Sequence, residues 1–576
     1  MLSAKEQSNW KMSVRDPDYE SGLREECAVF GCVAAGPWPA TGEHAKLKVH
    51  VAETIINGLV GLQHRGQESS GVVVATGSGN DPLKCHRGMG LVSAVYRDED
   101  VRHLEGNLGI GHNRYSTAGR SHLVNCQPLT LEGSHGHMAI AHNGEIVNAE
   151  ALRHELFLHG TAFSSESDTE LLLRALLLLH KDSLFGSRNS RRGSNNSDDS
   201  PSDSGRAMMS PSEKMSPPDW PRRLAELMRM FPLAYSFLFL NGDAIYAVRD
   251  CFGNRPLVLG KISSENNPSS GPYQADAWIV ASESCCFKNV PHCKLVREVY
   301  PGEVVKITKD GFSTVARVEP PERTPLKNGV ELPEPVVPNK PKATAFCLFE
   351  YVYFARGDSY FEGQQVYGVR ERCGRRLAKE SHVDADIVSN VPDSSRPAAL
   401  GFSKESGIEY SEVFLRNPYI GRTFIQPTNT ERQSAVFKKF GELSANYAGK
   451  RIVLIDDSIV RGNTLQGIVK LLKDTGAKEV HIRIASPPVR YPCYMGIAIP
   501  TREELIANQI SMEELPKYFG ADSVAYLSID GLIETVQEGA ISDFRSDAAE
   551  WRDVKRGYCS ACFTKDYPII PVEHDW

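Results

Sequence analysis

RIVLIDDSIVRGNT, Arg451 to Thr464, decides how the second half of this chain folds. Four apolar residues, Ile452, Val453, Leu454 and Ile455, run without interruption into two aspartates, Asp456 and Asp457. Such a run reads as a strand buried on both faces of a parallel sheet. Open α/β sheets take their ligands just beyond the carboxyl ends of these strands. Two carboxylates at that place suit ribose hydroxyls or a hydrated magnesium ion. The residues that follow, Ser458, Ile459, Val460, Arg461, Gly462, Asn463 and Thr464, can wrap backbone N–H groups around a phosphate at a helix N-terminus. It is not a Walker A loop, since G-x-x-x-x-G-K-[ST] is missing. The plain alternative is a buried strand followed by a polar turn; the loop as a whole favours the phosphate reading.

The flanks agree with a parallel sheet. ADIVSNV, IEYSEVF and EVHIRIASPP alternate with helical stretches such as Thr464 to Thr475, which Gly476 is placed to stop. A proline-rich stretch, 321–343, reads as a linker. It separates a parallel-sheet domain, 344–505, from a first half that reads differently. A C-terminal helical region with a metal-binding tail, YCSACFTKDYP, completes the chain over 506–576 and is expected to pack back on one of the domains. Residues 27–320 carry short apolar strands between glycine-rich turns, among them CAVFGCVA, SSGVVVA, GIGHNRYSTAG and MAIAHNGEIVN. A leucine-rich helix is expected over Asp168 to His180, buried on most sides. Residues 183–219 are dominated by Ser, Asp, Asn, Gly and Pro and cannot bury enough apolar area to offset their ordering entropy, so they read as a disordered insert. An amphipathic helix near Arg222 to Met230 and the strands of AYSFLFLNGDAIYAVRD, PLVLGKI and AWIVASES follow.

Composition limits the function classes. With 576 residues, 41% hydrophobic and 24% charged, the chain is long enough for several domains of ordinary globular character. A net charge of −7 argues against a general nucleic-acid binder. No apolar stretch is long enough for a membrane span. The first residues carry both charge signs and no apolar core of a secretory signal. Thirteen cysteines, an odd number, do not form a disulfide framework and fit a reducing compartment, with cytoplasm the default.

Cys27 opens the first apolar strand. A cysteine nucleophile needs a base, and no Cys–His pair is marked by spacing. Its own α-amine would serve, because a free α-amine has a pKa of roughly 7.7–8.0. That requires residues 1–26 to be a propeptide that is removed. Cys32 reads as a small core residue.

At this point the resemblances become specific. The Asp456–Asp457 loop resembles the phosphoribosyl-pyrophosphate (PRPP) loop of type I phosphoribosyltransferases. EECAVFGCVA, GLQHRGQESSGVV, GIGHNRYSTAG, AHNGEIVN and SSESDTELL occur in the order found in class II glutamine amidotransferases. The two sets together resemble the amidophosphoribosyltransferase family, iron–sulfur type, from about Cys27 to the C-terminus. The resemblance implies an α+β and α/β chain: an N-terminal-nucleophile αββα sandwich followed by a type I phosphoribosyltransferase parallel-sheet domain. It implies that Cys27 attacks the glutamine carbonyl while Asn143 and Gly144 form the oxyanion hole. Arg114 would hold the glutamine α-carboxylate with Thr117 beside it, and Asp168 the α-ammonium. Each has a plainer reading: a helix cap for Asp168, a surface ion pair for Arg114, a turn dipeptide for Asn143-Gly144.

In the second half the resemblance implies one Mg²⁺ per subunit, held with PRPP by Asp456, Asp457 and Ser394, with Ser395 the neighbour that could be confused with it. Ser458, Val460, Arg461, Gly462, Asn463 and Thr464 would bind PRPP, with Arg422 on a polar lid, Asn417 to Gln433, that closes over it. Arg432 and Lys438 are further pyrophosphate candidates, or a solvated basic face.

Cys559-x-x-Cys562 is a metal-ligand spacing. Iron–sulfur members of the family draw two more thiols from a C-x-F-E-Y and a Y-P-C segment, here Cys347 and Cys493. The resemblance therefore implies one [4Fe–4S] cluster per subunit with a stapling role; structural zinc stays open as the alternative. Cys285 and Cys286 are weaker ligand candidates. One departure is Gly357, where the family's ARPDS reads ARGDS.

The implied reaction hydrolyses glutamine at Cys27, passes ammonia inside the protein and displaces pyrophosphate from PRPP. The product is 5-phosphoribosylamine, the entry to purine synthesis. Purine nucleotides as feedback inhibitors and a homotetramer are implied with it; nucleic-acid and membrane partners are not. Two rivals stand: another class II amidotransferase such as glucosamine-phosphate synthase, and a silent regulatory homologue that binds nucleotides or PRPP without turnover.

Overall fold

The computed structural model describes residues 27–38, 49–78, 81–115, 122–133, 135–146, 149–178, 218–263, 275–321, 343–417, 440–497, 502–541 and 554–569. Residues 1–26, expected as a propeptide, and nearly all of the serine-rich insert, the proline-rich linker and the expected lid lie outside them, as do Thr117, Arg422, Arg432 and Lys438. The chain divides into two units.

Antiparallel strands, the central ones buried on both faces, build the first unit, Cys27–Phe346 with 554–557. Its strands in chain order are β1 (Ala28–Ala34), β2 (Ser69–Ala75), β3 (Lys84–Met89), β4 (Leu108–Arg114), β5 (Leu129–Gly133), β6 (Gly136–Gly144), β7 (Tyr235–Asn241), β8 (Ala244–Arg249), β9 (Val258–Ile262), β10 (Ala277–Ala281), β11 (Cys293–Glu298), β12 (Glu303–Thr308) and β13 (Gly311–Arg317). They form two antiparallel sheets, ordered β11-β9-β10-β1-β4-β2-β3 and β13-β12-β8-β7-β6-β5.

β1 shows why both faces are covered. Ala28, Phe30, Cys32 and Ala34 pack into one core with Val51, Ala52, Ile55 and Leu59 of the helix Val51–Gly61. Val29 and Val33 point the other way, into a second core with Ala139, Ala141, Leu238 and Leu240 of the opposite sheet. A strand apolar on both faces must lie between two layers. The helices Asp168–Leu178 and Trp220–Met230 cover the far side of the second sheet; Trp220 meets Phe239 of β7 edge-on at 4.9 Å. The result is an αββα sandwich. The helix expected over Asp168 to His180 runs Asp168–Leu178 within the described residues, and the one expected near Arg222 starts at Trp220 because Asp219 caps it, accepting from Arg222 N at 3.1 Å.

The second unit comprises Cys347–Ile541 and Tyr558–Pro568 among the described residues. Its sheet is parallel throughout, in the order Ile387–Asn390, Arg451–Asp456, Glu479–Ile484, Ser523–Tyr526. Ile452, Leu454, Val480, Ile482 and Ile484 join one core with Leu465, Ile468 and Leu472 of the helix Asn463–Asp474. Gly476, at φ +107°, follows that helix as expected.

Two expectations need correction. The sheet does not end before residue 505: its fourth strand, Ser523–Tyr526, pairs with Glu479–Ile484 from inside the stretch read as a helical tail region. That strand is short and half-buried, as an edge strand is, so it lacks the apolar run that betrayed its neighbours. IEYSEVF does not form one continuous strand. Tyr410 makes a single bridge to Val388 and the chain becomes a strand again only at Phe414–Arg416, since polar Glu409, Ser411 and Glu412 interrupt it.

Candidate active sites

In the sandwich the site residues sit at strand ends. Cys27 immediately precedes β1, Arg114 ends β4 beside it, and Asn143 and Gly144 end β6 in the facing sheet. By alternation, Cys27 shares the face of Val29 and Val33, and Asn143 the face of Ala139 and Ala141, so both look into the space between the sheets. The Cys27 thiol is buried and donates to the Tyr115 carbonyl at 3.5 Å. Burial pushes its pKa up to about 11, against the weaker lowering influence of that carbonyl contact and of Arg114. In the uncleaved chain Cys27 is therefore a neutral thiol that needs a base.

Asn143 is fully buried, and both its amide nitrogen and its amide oxygen lack a partner among the described residues. A buried amide left unpaired costs stability; an oxyanion would use the donor. Gly144 is irreplaceable for backbone reasons. Its φ is +147°, and a Cβ would stand 2.6 Å from the Ala234 carbonyl oxygen. The pair is a strand end rather than a turn.

Arg114 is 3% exposed, not a surface residue, and its Nη1 donates to Glu68 Oε1 at 2.6 Å. Asp168 opens its helix, but its Oδ2 accepts from the Ile146 N–H at 2.9 Å, well outside that helix. Glu170 caps the preceding turn instead, accepting from the N–H groups of Ser164 and Ser165. His112, its pKa lowered to about 3 by burial, meets the His142 carbonyl at 3.0 Å and stays neutral.

Some supports were not readable from sequence. Arg65 and His64 both bind Glu283, the latter pair at 2.7 Å, and Ser282 accepts from Val29 N at 2.9 Å, bracing the N-terminal strand. The motif GLQHRGQES contains His64, Arg65 and Glu68, but the partner Glu283 lies 218 residues further on. Only the motif's density of polar residues next to an apolar strand signals it.

In the parallel-sheet unit, Asp456 ends its strand and Asp457 follows. Asp456 Oδ1 accepts from Asp457 N at 3.0 Å. Ser394 hydrogen-bonds Asp457 Oδ2, and Ser458 bonds Oδ1 at 2.8 Å. Ser395 turns away to the Val391 carbonyl at 2.6 Å, so of the two serines it is Ser394 that faces the aspartates. Burial raises the Asp457 pKa while the two hydroxyls oppose it. Two adjacent carboxylates and a hydroxyl at a strand end form the sparse, hard-oxygen set that magnesium accepts. Gly462, at φ +82°, then turns the chain into the helix Asn463–Asp474; a Cβ there would meet Ile506 at 2.5 Å. The side chains of Asn463 and Thr464 lie outside the described residues.

Cys347, Cys493, Cys559 and Cys562 converge in the same unit. Burial and the proximity of the other three drive the Cys562 pKa far above a free thiol's. Arg490 N and Tyr491 N donate to the Cys562 carbonyl at 2.9 and 3.0 Å, and Tyr567 donates to the Pro492 carbonyl at 2.6 Å, so the tail docks beside Cys493. Tetrahedral zinc, with Zn–S near 2.3 Å, would draw the sulfurs to about 3.8 Å from one another. Among the described residues, His64, Glu283 and Cys285 form the one group of three ligating atoms within 4.8 Å; no three of these four sulfurs do. Four thiolates suit a [4Fe–4S] cluster or a structural zinc ion.

The glutamine amidotransferase domain family matches residues 86–184 and the phosphoribosyl transferase domain family residues 383–486. The chain thus joins an amidotransferase sandwich to a phosphoribosyltransferase sheet. The amidophosphoribosyltransferase of Drosophila melanogaster is 47% identical, with 96% of this chain and 91% of that protein covered; that of Homo sapiens is 46% identical, over 97% and 99%. Among solved structures, an allosteric regulatory enzyme of purine biosynthesis superposes with a TM-score of 0.71 at 33% identity, covering 94% of this chain and 96% of the other. The glutamine PRPP amidotransferase of B. subtilis, complexed with ADP and GMP, gives 0.70 at 32%, covering 94% and 97%. The chain belongs to the amidophosphoribosyltransferase family.

Proposed function

We propose that this chain converts PRPP, glutamine and water into 5-phosphoribosylamine, glutamate and pyrophosphate, the first step of purine nucleotide biosynthesis. One observation carries the reading: a complete set of amidotransferase positions and a complete PRPP loop in a chain 46–47% identical to amidophosphoribosyltransferases over nearly its whole length. Glucosamine-phosphate synthesis would leave the Asp456–Asp457 loop without a purpose, and a silent homologue would not need a buried thiol beside an unpartnered amide.

Removal of residues 1–26 would free the Cys27 amine as the base. The thiol then attacks the side-chain carbonyl of glutamine, whose α-carboxylate Arg114 holds with Thr117 and whose α-ammonium Asp168 takes. Asn143 Nδ2 and the Gly144 N–H receive the developing oxyanion. The thioester is hydrolysed to glutamate, and ammonia displaces pyrophosphate at C1 of PRPP. In the phosphoribosyl site Asp456, Asp457 and Ser394 would hold magnesium, which supplies charge neutralisation for the departing pyrophosphate. Ser458, Val460, Arg461, Gly462, Asn463 and Thr464 receive the phosphate, and Arg422 the pyrophosphate. Cys347, Cys493, Cys559 and Cys562 would hold a [4Fe–4S] cluster that ties 558–568 to the phosphoribosyl unit; neither half-reaction transfers electrons. Purine nucleotides as feedback inhibitors, which the B. subtilis complex with ADP and GMP supports, a homotetramer and a cytoplasmic location complete the reading. No described helix is long and apolar enough to cross a membrane.

The test is glutamine-driven pyrophosphate release on addition of PRPP, with glutamate formed in equal amount. Glutamate formation without pyrophosphate release on addition of PRPP would refute the function; a mature protein still starting at Met1 at full glutamine-driven rate would refute the role of the Cys27 amine.

A further inference from the structure

We infer that Glu504 is a positioning residue for PRPP: it holds the Arg461 guanidinium by one edge so that the opposite nitrogen, Nη1, meets the 5-phosphate. The inference rests on the PRPP reading of the loop and adds to it a residue that loop does not contain. Arg461 Nε donates to Glu504 Oε2 at 3.0 Å, and Nη2 bonds the same oxygen. Nη1 is buried and has no partner among the described residues. An unpaired cationic donor shielded from water is costly unless a ligand supplies the acceptor. A phosphate does so, and the rigid fork of a guanidinium can be aimed at it by gripping its other edge, which an ammonium does not permit.

The grip belongs to a wider brace. Glu504 ends the short turn Arg502–Glu504, which leads into Ile506–Gln509. Ile506 N donates to the Val460 carbonyl at 2.9 Å, and Ile506 with Phe519 closes on Gly462. Three successive loop residues, Val460, Arg461 and Gly462, are thus fixed by one segment more than forty positions away (43 from Arg461 to Glu504). Among the described residues, the contacts of Ile506 with the loop are a backbone bond and packing, whereas the Glu504 pair sets the direction of a charged side chain.

Ammonia-driven turnover of the full chain with varied PRPP isolates this site from the glutaminase. Losing a hydrogen bond to a charged group predicts that Glu504→Ala raises KM for PRPP by about tenfold or more, with the smaller part of the effect in kcat. Glu504→Gln keeps an oxygen acceptor and should recover most of the loss. Arg461→Lys, which cannot be aimed, should resemble Glu504→Ala, and the double variant Arg461→Ala/Glu504→Ala should be no worse than Arg461→Ala. A wild-type KM in Glu504→Ala overturns the inference while the function stands. If Glu504→Ala does not fold, a wild-type KM in Arg461→Lys overturns it instead. Wild-type protein that fails to release pyrophosphate from PRPP sinks the proposed function itself, a result separable from both.

Discussion

The two units solve the same problem, exposing reactive groups from a rigid frame, in opposite ways. The sandwich draws its proposed glutamine site from four separated places, Cys27, Arg114, Asn143 and Asp168, on two antiparallel sheets and a helix end. The phosphoribosyl unit concentrates its proposed PRPP site in the loop at one strand end, Asp456 to Thr464, with Ser394 added from the neighbouring strand's end. Antiparallel sandwiches hold ligands between buried faces, and the cost is paired polar groups inside a core. Parallel sheets offer their C-terminal edge, where backbone N–H groups and a helix start are already available. A distributed site should therefore be fragile to single substitutions anywhere in the sandwich, and a contiguous one mainly to changes within its loop.

That contrast can be broken. Cys27→Ala should reduce glutamine-driven synthesis on the order of 10⁴-fold or more while leaving ammonia-driven synthesis from PRPP, measured as pyrophosphate release, near the wild-type rate. Asp457→Asn should instead depress both modes together, by about 10²-fold or more, because it acts on the shared acceptor site. If Cys27→Ala depressed ammonia-driven synthesis equally, or if Asp457→Asn spared it, the two sites would not be separable as described.

Gly144→Ala tests how far backbone geometry limits the sandwich. A φ of +147° and a 2.6 Å approach to the Ala234 carbonyl leave no room for a methyl group. Glutaminase kcat should fall by about 10²-fold, as for loss of one oxyanion donor, with PRPP-dependent ammonia turnover preserved. Cys562→Ser should act on the other unit: loss of the visible absorbance of the proposed cluster and a lower unfolding temperature by calorimetry, a few degrees for each ~1 kcal/mol lost, with glutaminase KM for glutamine unmoved.

The smallest effect concerns acidity. Burial raises the Cys27 pKa to about 11 in the uncleaved chain, so its thiolate fraction climbs throughout the pH 7–10 range. Alkylation of Cys27 by iodoacetamide in protein retaining residues 1–26 should accelerate about tenfold per pH unit without a plateau there. A plateau below pH 9 would show the thiol already activated without its amine.

Legibility followed the same contrast. The apolar runs Ile452–Ile455 and CAVFGCVA needed no tertiary information, because burial on two faces imprints itself on every residue of a strand. The strand Ser523–Tyr526 escaped detection since an edge position imposes no such pattern. Asp456 and Asp457 were visible by adjacency, whereas Glu504 lay outside the motif that it serves.

By itself the sequence determined the layer types, the strand that ends in two aspartates and the thiol that opens the first sheet, since hydrophobic periodicity and local turn chemistry act over a few residues. Only the tertiary structure decided which polar groups meet: Arg114 with Glu68, Arg65 with Glu283, Ser394 rather than Ser395 with Asp457, Arg461 with Glu504. Those pairings depend on where sheets and loops come to rest, and a charged side chain carries no record in the sequence of the distant partner that burial will force on it.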